Sequence, residues 1–378
     1  MNHLTITPRD PLVARDGRPF GPGAGNRMRS TGWLMPSVAA GSFRTALAKA
    51  AGVGFERKTQ DELLRIEFAG VLPLAGTELL LPAPYDCVIE KKKDGSLVAR
   101  AARPRKMLTG EGCDWPEGEL WPVTLGNDVR DFKPDTGPAF WPMSRYVNWL
   151  LDEGVTFGKD FATEAKADLR DHVEIDPLTG SAMDARLFTT GGIAARALPR
   201  FQCEKVTKFE ERMIETTLSA RVGQLPSWSE GLEMWHPLGG ERRLAHWKLD
   251  ETDADAWKYP KEIRDKLATT THVTMTLVTP AIFEGGWRPP RKLGEVELKL
   301  VGVCIPRWRA VSGWSYIERG PKAIRRMVPA GGTYFFTVGK QGDAAPLEKM
   351  WLESVSDDEQ DRRDGFGLAV WGTWEGNH

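Results

Sequence analysis

The chain has few of the features by which secreted, membrane-spanning or zinc-binding proteins are recognised. Its 378 residues include only four cysteines, which are far apart and form no CxxC pair: Cys87, Cys113, Cys203 and Cys304. This usage argues against a disulfide framework or a zinc site and favours a reducing compartment. No apolar run approaches the roughly 18 residues of a membrane span, and no signal-peptide core follows Met1. We therefore expect a cytoplasmic protein without membrane association.

The signatures of common enzymes are also missing. The sequence contains no HExxH, no GxSxG and no GxxxxGK[ST], and none of its Gly-Gly pairs is followed by Asp-Asp. These absences argue against zinc hydrolysis, serine acyl transfer, a mononucleotide site and a polymerase-type metal site. The histidines are scattered, and four of them lie in strand-like or apolar contexts: His172, His236, His246 and His272. We expect no catalytic residues, no metal and no cofactor.

Charge is almost balanced overall but is unevenly distributed. The net charge is −1, yet residues 1–50 carry seven basic and two acidic side chains, and residues 285–330 carry ten and three. A protein with two basic stretches and an acidic remainder can present one side to a polyanion. The alternative is that these residues form ordinary solvated faces.

The first part of the chain contains a strand, a basic glycine-rich loop and a helix in succession. Leu4–Thr7 alternate as in a strand, and Ser37 is placed to cap a helix that runs to Ala51. The loop Gly21–Gly32 lies between them. Its glycines would allow a phosphodiester backbone to approach closely, with nearby arginines contacting phosphates. These arginines are Arg18, Arg27 and Arg29. The alternative is a mobile surface loop.

Strand and helix patterns alternate through the rest of the chain without forming a regular βαβ array. Strands are predicted at Leu63–Ala69, Glu78–Leu81, Cys87–Glu90, Ser96–Ala99, His172–Ile175, Arg186–Phe188, Met213–Val222, His246–Leu249, His272–Val278, Glu295–Ile305, Thr333–Val338 and Leu368–Trp374, and helices at Ser144–Glu153 and Pro260–Leu267. Asp94-Gly95 predicts a tight hairpin. Residues 103–142 are predicted to be an irregular insertion, and residues 357–364 a charged surface loop. The pattern favours an α+β fold with antiparallel sheets and long inserted loops, and the length favours two domains.

Two further segments combine glycine or aromatic residues with arginine. Leu238–Arg243 holds two glycines before Glu-Arg-Arg, which suits either close packing of a ligand or a turn with an ion pair. Residues 307–319 interleave basic and aromatic side chains, which either stack unpaired bases or form a half-buried strand. The aromatic residues are Trp308, Trp314 and Tyr316. Because of their charge alone, Lys322, Arg325 and Arg326 are added to the candidate RNA-binding residues.

Four segments, in this order, resemble the third RAMP-superfamily module subunits of type III-B (Cmr) CRISPR effector complexes. They are TPRDPLVARDGRPF at residues 7–20, RSTGWLMPSVAAGSFRTAL at 29–47, HVEIDPLTGSAMDARLF at 172–188 and LGGERRLA at 238–245. Gly365-Phe366-Gly367 is similar to the C-terminal glycine-rich loop of that superfamily. The resemblance spans residues 4–249 and the final predicted strand.

The resemblance implies two ferredoxin-like (RRM-like) domains, which we assign to residues 1–222 and 223–378, with inserted loops and a protruding hairpin. Such subunits are non-catalytic scaffolds that grip the 5′ handle of the guide RNA. They contact the large polymerase-like subunit and the backbone RAMP subunit. Their hairpin lies near the first guide–target pairs, so target RNA is a further partner. Gly191–Leu198 or Asp94-Gly95 could form that hairpin.

The resemblance and the charge pattern together nominate a set of RNA-binding residues. They are Arg18, Arg27, Arg29, Arg44, Gly239, Gly240, Arg242, Trp314, Lys322, Arg325, Arg326, Gly365 and Gly367. One competing hypothesis is a metal-independent endonuclease that processes the handle, with His172 or His272 as its base. Another is a structural module that contacts only protein.

Overall fold

The structure, a computed structural model, describes residues 2–14, 26–28, 31–112, 120–126, 132–158, 167–193, 216–250, 255–315 and 319–375. Within these ranges no helix is both long enough and apolar enough to cross a membrane. Most of the regular structure is strand, and the sheets are mainly antiparallel. The predicted α+β class is confirmed.

The helices are α1 (Pro36–Ala50), α2 (Arg57–Leu64), α3 (Met143–Leu150), α4 (Lys261–Leu267) and α5 (Glu359–Arg363), with 3-10 turns at Asp255–Trp257 and Ala345–Met350. The strands before residue 200 are β1 (Asn2–Pro8), β2 (Asn26–Arg27), β3 (Phe68–Ala75), β4 (Glu78–Pro82), β5 (Cys87–Lys91), β6 (Leu97–Pro104), β7 (Val123–Leu125), β8 (Pro134–Asp135), β9 (Phe140–Pro142), β10 (Val155–Phe157), β11 (Ala167–Ile175) and β12 (Ala182–Ile193). The later strands are β13 (Thr216–Val222), β14 (Glu233–Pro237), β15 (Leu244–Asp250), β16 (His272–Leu277), β17 (Lys292–Leu293), β18 (Val296–Glu297), β19 (Lys299–Cys304), β20 (Arg309–Val311), β21 (Trp314–Ser315), β22 (Gly320–Pro321), β23 (Arg325–Met327), β24 (Thr333–Thr337), β25 (Glu353–Ser354) and β26 (Leu368–Thr373).

The first sheet has seven strands in the order β14-β15-β1-β13-β3-β4-β9, with neighbours antiparallel. Alternate residues of β1, Leu4 and Ile6, are buried in one core with Phe43 of α1, because successive strand residues point to opposite faces. Helix α1 begins at Pro36, whose ring suits the first helical position. Ser37 therefore lies inside the first turn and is not the predicted cap.

The second sheet has the order β19-β24-β16-β26-β25 and is also antiparallel. It shares a core with the first half of the chain, where Leu81 and Trp149 pack with Met275 and Trp371. The predicted domain boundary at 222/223 cuts through the first sheet, because β14 and β15 follow it in sequence and complete the edge beside β1. The first sheet ends at Asp250, and the second begins with β16.

A smaller sheet carries the inserted segments. Its strands run β10-β6-β5-β8, and β7 pairs with β6. The predicted turn at Asp94-Gly95 joins β5 to β6, as the hairpin pattern indicates. Residues 103–142 are less irregular than predicted, since β7, β8 and β9 pair with β6, β5 and β4. These strands are two or three residues long, too short to leave a periodic pattern.

Two predicted segments have a different structure. The strand predicted over Leu63–Ala69 is absent, because α2 runs to Leu64 and β3 begins at Phe68. Residues 357–364 are not a surface loop. They contain α5, whose first turn is capped by the Asp358 carboxylate, which accepts the Asp361 N–H at 3.0 Å.

The charges of this segment are directed inward. Asp364 is buried against Arg44 of α1, with Oδ1 and Nη1 2.5 Å apart. The Arg44 Nη2 also donates to the carbonyls of Ile66 and Arg363, both at 2.9 Å. Because its guanidinium is enclosed and engaged in this way, Arg44 is a structural residue. Its role as an RNA contact stays a prediction.

The glycines of the C-terminal motif are also enclosed. Gly365 has a φ of +86°, and a Cβ atom there would lie 2.8 Å from the carbonyl oxygens of Phe68 and Gly70. A Cβ atom on Gly367 would lie 2.5 Å from the Ser356 hydroxyl. Both glycines are buried. Contact between chain segments therefore explains both glycines, and their role as RNA contacts stays a prediction.

A second buried ionic group joins the smaller sheet to the shared core. Arg103 lies 2.6 Å from carboxylate oxygens of both Asp86 and Asp152, and Trp149 donates its indole N–H to Asp86 at 3.1 Å. Burial raises the pKa of the Asp86 carboxyl, and the adjacent Arg103 guanidinium opposes that rise. Thr333 of the second sheet also donates to Asp86, at 3.3 Å. One buried carboxylate thus contacts three separate parts of the fold.

We predict that Arg44→Ala lowers the free energy of unfolding by about 3–5 kcal/mol, because it leaves the Asp364 carboxylate buried without its partner. Arg57→Ala is the matched control. Arg57 pairs with Asp61 across 3.4 Å in solvent, and such a pair contributes about 0.5 kcal/mol or less. Urea denaturation measures both. Equal stability of the two variants would show that the buried pair does not hold the sheets together.

Candidate nucleic-acid interface

Three of the segments that carry the resemblance meet at one place. Leu12 and Ile193 exchange backbone hydrogen bonds of 2.9 and 2.6 Å, and Gly240 donates its N–H to the carbonyl of Val13 at 2.8 Å. Residues 12–14 therefore lie between the base of the β11–β12 hairpin and the turn after β14. We call this arrangement of residues 12–14, 188–193 and 239–242 the motif junction.

Arg27 lies beside the motif junction. Strand β2 pairs in parallel with β12, which places Arg27 opposite Thr189, and the Met28 N–H donates to the Thr189 carbonyl at 2.8 Å. The Arg27 side chain is exposed, so its guanidinium is available to a phosphate. Arg18 and Arg29 lie outside the described residues.

The turn after β14 contains three predicted RNA contacts. Gly239 has a φ of +79°, and a Cβ atom there would lie 2.6 Å from the Val13 carbonyl oxygen. A Cβ atom on Gly240 would lie 3.1 Å from the Val13 side chain. Contact with Val13 therefore explains both glycines without RNA. Arg242 is exposed on the same turn, and it is the member of this group that can reach a polyanion.

The hairpin β11–β12 is formed by the HVEIDPLTGSAMDARLF segment. Its tip is the turn Asp176–Gly180, where the Gly180 N–H donates to the Asp176 carbonyl at 2.8 Å and Leu178 is 94% exposed. Neither predicted arm forms this tip. Asp94-Gly95 belongs to the smaller sheet. Gly191–Ile193 form the base of the hairpin, and residues 194–198 lie outside the described part of the chain.

The second basic stretch forms a β-ribbon. Strands β20 and β23 pair with each other, as do β21 and β22, and we call residues 307–315 and 319–327 the basic ribbon. Val311 and Met327 at its base are buried with Ile282 and Phe366. Phe366, between the two enclosed glycines, thus anchors the ribbon to the body of the protein. The exposed basic side chains of the ribbon are Arg307, Arg309, Arg319, Lys322, Arg325 and Arg326.

Two adjacent arginines of the ribbon have different environments. Arg325 donates two hydrogen bonds of 2.7 Å to the buried carboxylate of Asp361, and these bonds raise the pKa of Arg325. Arg326 instead places its guanidinium carbon 4.7 Å from the ring centroid of Trp308. Their charge suggests one role for both arginines. In the structure, Arg325 instead anchors the ribbon through its contact with Asp361. The side chain of Trp314 lies outside the described residues.

The structure brings together few groups that could do chemistry. Within the described ranges, no three His, Cys, Asp or Glu side chains could hold a metal ion. His172 lies 2.8 Å from the Thr190 hydroxyl, and His272 meets the Trp374 ring edge-on. Burial raises the pKa of the Cys304 thiol to about 12, so Cys304 does not supply a thiolate near neutral pH.

Among solved structures, the chain is similar to a chain of the type III-B Cmr-beta complex bound to cognate target RNA, with 14% identity, a TM-score of 0.48 and coverage of 88% of this chain and 86% of that chain. It is also similar to a chain of the Csm3–Csm4 subcomplex of the type III-A CRISPR-Cas interference complex, with 10% identity, a TM-score of 0.39 and coverage of 91% and 94%. No curated protein matches.

The family comparison is decisive because of its extent. The family described as CRISPR-associated protein (Cas_Cmr3) matches residues 4–374. That range includes the motif junction, the basic ribbon and the enclosed glycine motif. It confirms the resemblance found in the sequence. The chain therefore belongs to the Cas_Cmr3 family of CRISPR-associated proteins.

Proposed function

We propose that the chain is a non-catalytic, RNA-binding scaffold subunit of a type III-B CRISPR effector complex, and that it grips the 5′ handle of the guide RNA. Family membership supports the complex. The observation that carries RNA binding is the motif junction. Its backbone pairing connects the strand that bears the exposed Arg27, through β12 and residues 12–13, to the turn that bears the exposed Arg242. Guanidinium groups on a rigid backbone suit contact with phosphates.

The strand orders support two ferredoxin-like (RRM-like) domains. In the first sheet, the neighbours β15-β1-β13-β3 are the fourth, first, third and second strands of one unit in chain order, and α1 follows the first strand. In the second sheet, β26-β16-β24-β19 repeat that order. This is the strand order of the ferredoxin-like βαββαβ unit, although the described residues between β13 and β15, and between β16 and β19, contain no helix. We place the boundary between Asp250 and His272.

The proposal also includes contacts with the bases of the handle, with target RNA and with two other subunits. A single-stranded handle is read through splayed bases and through arginines on its phosphates. The β11–β12 hairpin, with its exposed apolar tip, is the arm that we assign to target RNA near the first guide pairs. The large polymerase-like subunit and the backbone RAMP subunit are the protein partners in this proposal.

We predict that the full-length protein binds handle RNA with an affinity that falls as salt rises. Each neutralised phosphate of a single strand contributes a slope of about −0.7 in log affinity against log salt. Fluorescence anisotropy at several salt concentrations measures the slope, and a scrambled handle of the same length reports sequence reading. An affinity that does not change with salt would contradict the RNA-binding role and favour the alternative of a structural module that contacts only protein.

Arg27→Ala, Arg29→Ala and Arg242→Ala should each weaken handle binding and reduce the magnitude of the salt slope by about 0.7, because each removes one phosphate contact. Their melting temperatures should match the wild type. Arg57→Ala, which changes an exposed arginine of α2 away from the motif junction, is the control and should leave binding unchanged. If melting falls together with binding, these arginines are structural and the assignment fails.

We expect no cleavage when the protein is incubated with repeat RNA, with or without a chelator. The two candidate bases lie on β11 and β16, in different sheets, and each has a structural contact. Gel analysis of labelled RNA provides the measurement. Cleavage that survives chelation and is lost in His172→Ala or His272→Ala would establish the handle-processing endonuclease instead.

A further inference from the structure

The basic ribbon has two faces with different chemistry. In β20–β23, the pairs Arg309↔Met327 and Val311↔Arg325 alternate with Ala310↔Arg326. Side chains of successive pairs point to opposite sides of a ribbon. Val311 and Met327 are buried, which fixes their side as the inner face. The face that bears Arg326 is therefore directed away from the body of the protein.

The inner side of the ribbon is unsuited to a polyanion. A groove beside the ribbon is lined by carboxylates and by Arg325 and Arg326; Arg325 is bound to Asp361, whereas the Arg326 guanidinium lies over the Trp308 ring. The other acidic residues of the groove are Glu284, Asp357 and Asp358. Phosphate groups would be repelled there, because like charges at short range are unfavourable. A polyanion that reaches the ribbon must approach its outer face.

The outer face holds a preassembled stacking platform. The Arg326 guanidinium lies over the Trp308 indole at 4.7 Å, yet Trp308 remains 47% exposed. The cation covers one face of the ring and restricts its orientation, and about half of the side chain stays accessible to a ligand. Lys322 and Ile324, which is 77% exposed, lie in the segment that leads into β23.

We propose that this outer face binds an unpaired nucleotide of single-stranded RNA, with the base stacked on Trp308 and the adjoining phosphates on Arg326 and its basic neighbours. A flat aromatic surface among cations is the chemistry that single-stranded nucleic acid requires. A base in a duplex presents no free face to the indole, so duplex RNA gains only the charge contacts. The site is separate from the motif junction. This proposal depends on the proposed function in one respect only, which is that the ligand is RNA.

The test compares the full-length wild type with Trp308→Ala, Trp308→Phe and Arg326→Ala, using a labelled unstructured RNA strand and the same sequence as a duplex. Trp308→Ala should weaken single-strand binding by about tenfold, the scale of one lost base–aromatic stack. Trp308→Phe should recover most of the affinity, and duplex binding should be unaffected by either change. Arg326→Ala should weaken both ligands and reduce the salt slope.

Photocrosslinking keeps the proposal testable if a variant folds poorly. Wild-type protein bound to 4-thiouridine RNA should yield crosslinked peptides from residues 307–311. Unchanged single-strand binding in Trp308→Ala, or crosslinks that map elsewhere, would overturn the ribbon site. If the handle still binds with salt dependence through Arg27 and Arg242, the ribbon site alone has failed. If wild-type protein binds no RNA, both proposals fail.

Discussion

The buried ion pair between Arg44 and Asp364 is the constraint on which the rest of the structure depends. It joins α1, which packs on the first sheet, to the segment that leads into β26 of the second. Removing two charges from water is costly, and their attraction compensates for this cost only when the remaining polar atoms are also satisfied. Here the two Arg44 Nη atoms reach two backbone carbonyls as well as Asp364, and Gln360 also donates to Asp364 at 2.9 Å, whereas the buried Arg44 Nε has no hydrogen-bond partner among the described residues.

The same short segment positions the proposed RNA surfaces. Within a few residues it supplies Asp361 to Arg325 and Phe366 to the base of the basic ribbon. Gly365 lets this segment lie against the backbone of β3. The ribbon is therefore held by the contacts that hold the two sheets together. Several of the most polar residues of the segment face inward, which is why a motif of glycine and charge has a structural role here.

Much of the fold could be predicted from local patterns. Alternation marked β1, β4, β5, β16, β24 and β26, and Asp94-Gly95 marked its hairpin. The errors share a physical cause. Arg44 and Asp364 are 320 residues apart, so no local pattern shows that residues 357–364 are buried rather than solvated. The short strands of the insertion are also defined by distant partners, and β14 and β15 pair beside β1 although they follow it by more than 200 residues.

The candidate site was predictable in part. Glycine and arginine occur in the same motifs, which suggested a common role, but in the structure the glycines and the arginines have different roles. The glycines at 239, 240, 365 and 367 allow close packing, while Arg27 and Arg242 are exposed. Arg325 and Arg326 are neighbours with the same charge. Only the register of the ribbon shows that one faces a buried carboxylate and the other faces an indole.

The enclosed segment also has a consequence for synthesis on the ribosome. Residues 361–373 emerge after every element that they join: α1, β3, the ribbon and β16, which they flank in the second sheet. Until then, Arg44 has no carboxylate and β16 lacks a neighbouring strand, so the nascent chain exposes an unpaired strand edge and apolar surface. Contacts of such long sequence separation form slowly. The contacts that join the two sheets therefore cannot form until this segment has left the ribosome.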